Sequence, residues 1–166
     1  MSLDSEELPF TRIYDQYFPD VYAFLRYLTK DPDEAEDLCQ EVFLRYFAKY
    51  GISESPEVTN AKALLLRIAK NLFLNSRRRK GRFISTSDVQ VETLPDNSHD
   101  FVTDHDWREY IDEISSKLRS EKDILAVIFV LRIVNGYSFR EIANICGKTT
   151  RTIRRYMVQI KKILKK

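Results

Sequence analysis

YSFREIANICGKTTRTIRRYMVQIKKILKK, Tyr137 to Lys166, is the stretch whose reading decides the fold. Ser138 and Glu141 have capping-box spacing, in which the hydroxyl accepts the N–H three residues on and the carboxylate reaches back to the cap. A helix is therefore expected from Phe139, with Ile142, Ala143 and Cys146 as its apolar stripe. Gly147 ends it, because glycine takes positive φ at no steric cost. Thr149 caps a second helix. On that helix Ile153, Tyr156, Met157, Ile160 and Leu164 share one side, and Arg151, Arg154, Arg155, Lys162 and Lys165 share the other. A small Ala143 where two helices cross, a glycine four residues later and a packing Ile153 make the pattern of a helix-turn-helix whose second helix enters a DNA groove. An ordinary amphipathic terminal helix with a solvated basic face is the plainer alternative. Cap, small residue, glycine and basic face together favour the former.

The net charge of +2 hides a strong alternation along the 166 residues. Residues 1–55 carry −7, 56–84 carry +7, 85–123 carry −7 and 124–166 carry +9. Two basic surfaces separated by acidic blocks point to two units that each meet a polyanion. Helical periodicity throughout, with four Gly and five Pro, predicts an all-α protein: two small helical domains, 1–82 and 107–166, joined by a flexible linker over 83–106, the second containing the helix-turn-helix. Cys39 and Cys146 lie on apolar stripes outside any CxxC and read as reduced core residues. His99 and His105 have no companions to make a metal site. Neither a signal peptide nor an apolar run of bilayer length is seen, so the chain is expected in the cytoplasm, and no cofactor is expected.

Working back towards the N-terminus, helical signals run from about Thr11 to Phe18 and from Pro19 to Thr29, with Pro19 suited to open a new segment. Ile13, Tyr14, Tyr17, Val21, Phe24, Leu25 and Leu28 are the expected core. Asp31 can cap the next helix, and Asp33 and Glu34 suit its N-terminal dipole. Ala35, Leu38, Cys39, Val42, Phe43, Tyr46 and Phe47 form its buried stripe. The opposite face carries Asp33, Asp37, Gln40, Glu41 and Leu44. An outward leucine among acids and an amide suits either a docking surface or plain solvation. Gly51 to Asn60 is a polar loop. A helix from about Ala61 to Arg79 has Leu64, Leu65, Ile68, Leu72 and Phe73 as core, and Arg67, Lys70, Asn71, Asn75 and Arg78 along a polar side. Its basic load exceeds what a helix C-terminus requires and suits phosphate contact. Phe83 to Asp106 lacks periodicity and could span about 25–30 Å as a coil. Beyond it, Tyr110, Ile111, Ile114 and Leu118, then Ile124, Val127, Ile128 and Leu131, make two further stripes. Trp107 either anchors this small domain or lies at the linker junction.

From about Leu8 to Leu164 the chain resembles bacterial RNA polymerase sigma factors of the compact, extracytoplasmic-function (ECF) type. DEAEDLCQEVF, Asp33 to Phe43, matches the family's docking segment for the clamp coiled coil of the largest catalytic subunit of core RNA polymerase. LLLRIAKNLFLNSRRRKGR, Leu64 to Arg82, resembles the helix that melts the minus-10 element, and GYSFREIANICGKTTRTIRRYM, Gly136 to Met157, the module that reads the minus-35 element. The resemblance implies that Asp33, Asp37, Gln40, Glu41 and Leu44 bind polymerase. It implies minus-10 contacts by Arg67, Lys70, Asn71, Asn75 and Arg78, and minus-35 contacts by Lys148, Thr150, Arg151, Arg154 and Arg155. Gly51 to Asn60 and Asn71 would capture flipped bases, repaying an unstacking cost of a few kcal/mol with a fitted pocket, and the linker would thread towards the polymerase active-site channel. An anti-sigma factor is a further candidate partner, though no residue identifies one. The chain departs from the family pattern at Leu64, where Trp is frequent, at Asn75, where Asp is frequent, and at Leu118-Arg119, where Leu-Pro is usual.

The function expected is that of a non-enzymatic initiation factor that binds core polymerase, directs it to promoter DNA and assists strand opening. A free-standing helix-turn-helix repressor with a helical effector or dimerisation domain is the alternative; such proteins bind half-sites about one DNA turn apart as dimers. A nucleic-acid enzyme is the third class, but no P-loop, His-Glu-x-x-His or Cys/His metal set is present.

Overall fold

In a computed structural model of the chain, residues 9–50, 60–83 and 105–166 are described. All of the expected Gly51–Asn60 loop except Asn60, and most of the expected linker, 84–104, lie outside them, as do the roles assigned to those residues. Helices α1 (Pro9–Thr29), α2 (Pro32–Tyr50) and α3 (Ala61–Phe83) form one domain. The second contains α4 (His105–Glu121), α5 (Asp123–Phe129), a π-helical turn (Val130–Val134), α6 (Phe139–Cys146) and α7 (Thr150–Leu164). Among the described residues there is no strand, and no helix is long and apolar enough to cross a membrane.

Two sequence segments prove to be one helix. Pro19 sits inside α1 rather than opening a new segment. A proline inside a helix costs roughly 3 kcal/mol, whereas Val21, Phe24, Leu25 and Leu28 just beyond it are all fully buried, each burial contributing about 1.5–3 kcal/mol. Packing of those residues against α2 and α3 outweighs the lost bond. Tyr14, Phe18 and Phe43 continue the interface as an aromatic cluster, with Tyr14–Phe43 centroids 4.9 Å apart.

The joint between α1 and α2 is tight. Lys30 takes a left-handed φ of 60°, and the Asp31 carboxylate accepts the Asp33 and Glu34 N–H groups at 3.0 and 3.3 Å. On α2 the buried stripe is Ala35, Cys39, Val42, Phe43 and Tyr46, flanked by half-buried Leu38 and Phe47. Burial pushes the Cys39 thiol up to about 12. Since the thiolate is the reactive form, Cys39 should resist iodoacetamide at pH 8 in the folded protein and react once urea unfolds it, as read by mass spectrometry. Labelling of Cys39 at equal rates in both states would contradict this burial.

The stripe of α3 lies one step round from the expected one. Leu65, Leu66, Ala69, Leu72 and Phe73 are buried, while Leu64 and Ile68 are only partly so. The helix also continues to Phe83 instead of ending at Arg79.

In the second domain Ile111, Ile114 and Leu118 of α4 are buried, but Tyr110 is exposed and lies 5.9 Å from the exposed Trp107 ring. Every residue from Leu125 to Leu131 is buried, so α5 and the π turn show no one-sided stripe. The Asn135 N–H donates to the Val130 carbonyl at 3.1 Å, five residues back, and the Tyr137 N–H to Leu131 at 3.0 Å, which turns the chain into α6. There the capping box forms as the sequence predicts: Ser138 Oγ accepts the Glu141 N–H at 3.3 Å, and the Glu141 carboxylate accepts the Ser138 N–H at 2.8 Å. Hydrogen bonds to the carboxylate from the Ser138 backbone N–H and from the Ser138 side chain hold the Glu141 carboxyl below its ordinary value.

Gly147 adopts φ 63° and ψ 39°, and the Lys148 N–H closes onto the Ala143 carbonyl at 2.9 Å, the Schellman pattern that satisfies a helix end. Thr149 Oγ1 accepts the Thr152 N–H at 3.2 Å and starts α7. Ser138→Ala should cost about 1 kcal/mol by loss of the cap, read as a lower denaturation midpoint with the helical signal unchanged in the native state; an unshifted midpoint would remove the cap from the stability argument.

Candidate functional site

Three surfaces gather the residues that the sequence singles out. On α2, Asp33, Asp37, Gln40 and Leu44 are exposed on the side away from the buried stripe, and Leu44 retains 65% of its surface. Glu41 is half-buried and its Oε1 pairs with Arg45 Nε at 2.6 Å, one helical turn on. The face is therefore an open apolar side chain within an acidic and amide surround, with Glu41 already engaged.

On α7, Arg151, Arg154 and Arg155 are exposed, as is Lys148 in the turn before it, while Thr150 is half-buried. The opposite side holds Ile153 and Ile160 in the core, with Tyr156, Met157 and Leu164 partly buried. One face thus anchors the helix on α5, α6 and its neighbours, and the other leaves three guanidinium groups in solvent. Guanidinium forks are suited to phosphate oxygens and to guanine edges.

The polar side of α3 is divided. Asn71, Asn75 and Arg78 are exposed, but Lys70 is buried and Arg67 half-buried. These two cations meet the second domain. Arg67 Nη2 donates to the Asn144 carbonyl at 2.6 Å and to its side-chain oxygen at 2.8 Å. Lys70 Nζ lies 3.4 Å from the Cys146 carbonyl. Burial pushes the Lys70 ammonium down from its ordinary value; Lys148 and Arg67 add to that effect and Cys146 opposes it. Further along α3, Arg77 Nε pairs with Asp123 Oδ1 at 3.0 Å, and Lys80 with Glu34 of α2 at 2.7 Å. Among the described residues no cluster of three or more His, Cys, Asp or Glu could hold a metal.

The Sigma-70 region 2 model matches residues 13–83, and the Sigma-70 region 4 model matches residues 124–164. The ECF RNA polymerase sigma factor SigX of Bacillus subtilis is 30% identical over 145 residues, covering 83% of this chain and 72% of that protein. The chain belongs to the ECF RNA polymerase sigma factors. The B. subtilis sigma factor YlaC is 26% identical over 159 residues, covering 93% of this chain and 91% of its own. Among solved structures, the sigma factor RpoE of Bartonella quintana, crystallised with the anti-sigma factor NepR, superposes with a TM-score of 0.69 at 25% identity, covering 94% of this chain and 96% of that one. This ECF sigma factor is accordingly a transcription initiation factor whose sigma domains bind core RNA polymerase and promoter DNA. The two region models fall on the two helical domains in order, and the free-standing repressor loses ground to them.

What sequence reading missed is the set of residues facing the other domain. Arg77, Arg119, Asp123 and Asn144 stand out in no periodicity. Arg119 alone carried a signal, as a departure from the family pattern.

Proposed function

We propose that residues 1–82 dock this ECF sigma factor on core polymerase and open the minus-10 element, and that residues 107–166 read the minus-35 element, with 83–106 as the connection. The observation that carries this division is the pairing of each family model with one exposed surface of matching chemistry: an acidic face around bare Leu44 on α2, and a row of solvent-exposed arginines on α7. Asp33, Asp37, Gln40, Glu41 and Leu44 meet the basic clamp coiled coil of the largest catalytic subunit. Arg67, Lys70, Asn71, Asn75 and Arg78 hold the separated minus-10 strand, and Lys148, Thr150, Arg151, Arg154 and Arg155 contact the upstream duplex. The factor acts in the cytoplasm by binding and catalyses no step itself. An anti-sigma factor is a fitting regulator, in keeping with the complex of the Bartonella relative.

Transcription of a library of genomic fragments by core polymerase, with start sites read by sequencing, tests the reading. The parent protein should impose a defined set of starts sharing a two-part upstream motif. Arg154→Ala should weaken upstream-element binding by about 1–3 kcal/mol if the guanidinium reaches a base edge, with the melting profile unchanged because Arg154 is exposed. Starts identical to those of core polymerase alone would overturn the function, and full activity of Arg154→Ala would remove that residue from the interface.

A further inference from the structure

The outer face of α7 carries an apolar side chain among its cations. Val158 keeps 53% of its surface, although Ile153 and Ile160 of the same helix are buried. Residues three and four apart are neighbours on a helix surface. Val158 is therefore ringed by Arg154, Arg155, Lys161 and Lys162, all of them exposed. Arg151 lies two turns before it on the same side of the helix.

Folding does not account for a valine there. Val158 takes no part in the apolar core, and a β-branched side chain is a poorer helix former than lysine or arginine. A surface built only to hold phosphates would be cationic throughout. A DNA duplex offers a group that matches the exception. Phosphates line both edges of the major groove, and the base edges on its floor carry an apolar group, the C5 methyl of thymine. Cations on either side of Val158 can meet the phosphates while the isopropyl group between them meets the floor. Arg154 and Arg155 precede Val158 by about one turn, roughly 5.4 Å. At roughly 3.4 Å per base pair, its base lies about one or two pairs from theirs.

We propose that Val158 is a specificity-determining residue of α7, selecting a thymine in the upstream element by seating its methyl groups on the thymine C5 methyl in the major groove. The inference rests on the reading of α7 as the minus-35 reader and adds a discrimination that its arginines do not make. Guanidinium forks recognise phosphate and guanine. Val158 recognises thymine by shape and disfavours cytosine, which lacks the methyl. The upstream element therefore contains an A·T pair beside the pairs that the arginines contact.

The test compares core polymerase carrying the full-length parent with core polymerase carrying Val158→Ala, on a promoter defined by start-site sequencing and at one salt concentration. Each upstream thymine, on either strand, is replaced in turn by deoxyuridine, which deletes the methyl and keeps the base pairing. At one of these positions the parent should bind about fourfold more weakly, the worth of one methyl group returned to water. Val158→Ala should show a similar loss on the thymine promoter and no further loss with deoxyuridine there, the non-additivity expected of groups in contact. Its melting temperature should be no lower than the parent's, because Val158 is exposed and alanine is the better helix former. Equal deoxyuridine penalties with both proteins overturn the proposal, as does the absence of a penalty at every thymine, or of any A·T pair in the element. Weaker binding of Val158→Ala to core polymerase without DNA also overturns it, by making the valine a protein contact. Arg155→Ala separates this inference from the reading beneath it. Undiminished binding by that variant, on promoters that need no upstream sequence, sinks the minus-35 role of α7, whereas its failure together with equal deoxyuridine penalties sinks only the role of Val158.

Discussion

Asp37→Arg should weaken binding to core RNA polymerase by about 2 kcal/mol or more, roughly 30-fold, as expected for a charge reversed at the centre of a contact. Asp37 lies on the exposed face of α2 with Asp33 and Gln40, beside a Leu44 that retains 65% of its surface. A leucine so placed gains little from folding, and burying the rest of it against a partner contributes about 1–2 kcal/mol before ordering costs. The acids around it would select a basic partner and speed the encounter, so the loss should shrink as salt rises. Titration of fluorescent protein with core polymerase at two salt concentrations gives the result. A change of less than about threefold, under 1 kcal/mol, would move the docking face elsewhere. Leu44→Ala serves as the companion: its melting temperature should equal the parent's while its affinity falls.

Phe73→Ala should have the opposite profile. Phe73 is fully buried on α3 within the apolar core, and removing such a ring costs about 3–5 kcal/mol through lost transfer energy and the cavity left behind. For a chain of this size the melting temperature should drop by roughly 10 °C, taking about 2–4 °C per kcal/mol. Differential scanning calorimetry checks it. A fall of only a degree or two would mean that the first domain can collapse around the gap. Function should be lost through the unfolded fraction, so at a temperature well below the new midpoint polymerase affinity should recover towards the parent value. Asp37→Arg offers no such recovery.

Signals that depend on neighbours three or four residues away were legible in the chain. Ser138, Glu141, Gly147 and Thr149 supply caps and a turn whose bonds are local, and the structure has each of them. The α2 stripe was also plain, because one face is apolar and the other acidic. On α3 the reading slipped by one step: Leu64, Leu65 and Leu66 are equally apolar in sequence, and only packing against α1 and α2 chose Leu65 and Leu66 over Leu64. Tyr110 and Pro19 misled for related reasons. An aromatic side chain at helical spacing need not be covered, and a proline break can be overridden by the burial that follows it.

Local chemistry therefore determined the helices, their caps, the basic and acidic faces and, through the order of its motifs, the family. The tertiary structure alone decided which cations remain in solvent. Asn71, Asn75 and Arg78 are exposed while Arg67 and Lys70, on the same helix, are drawn to carbonyls about 75 residues away in sequence. No periodicity encodes that choice, because it depends on where a second domain places the negative end of α6.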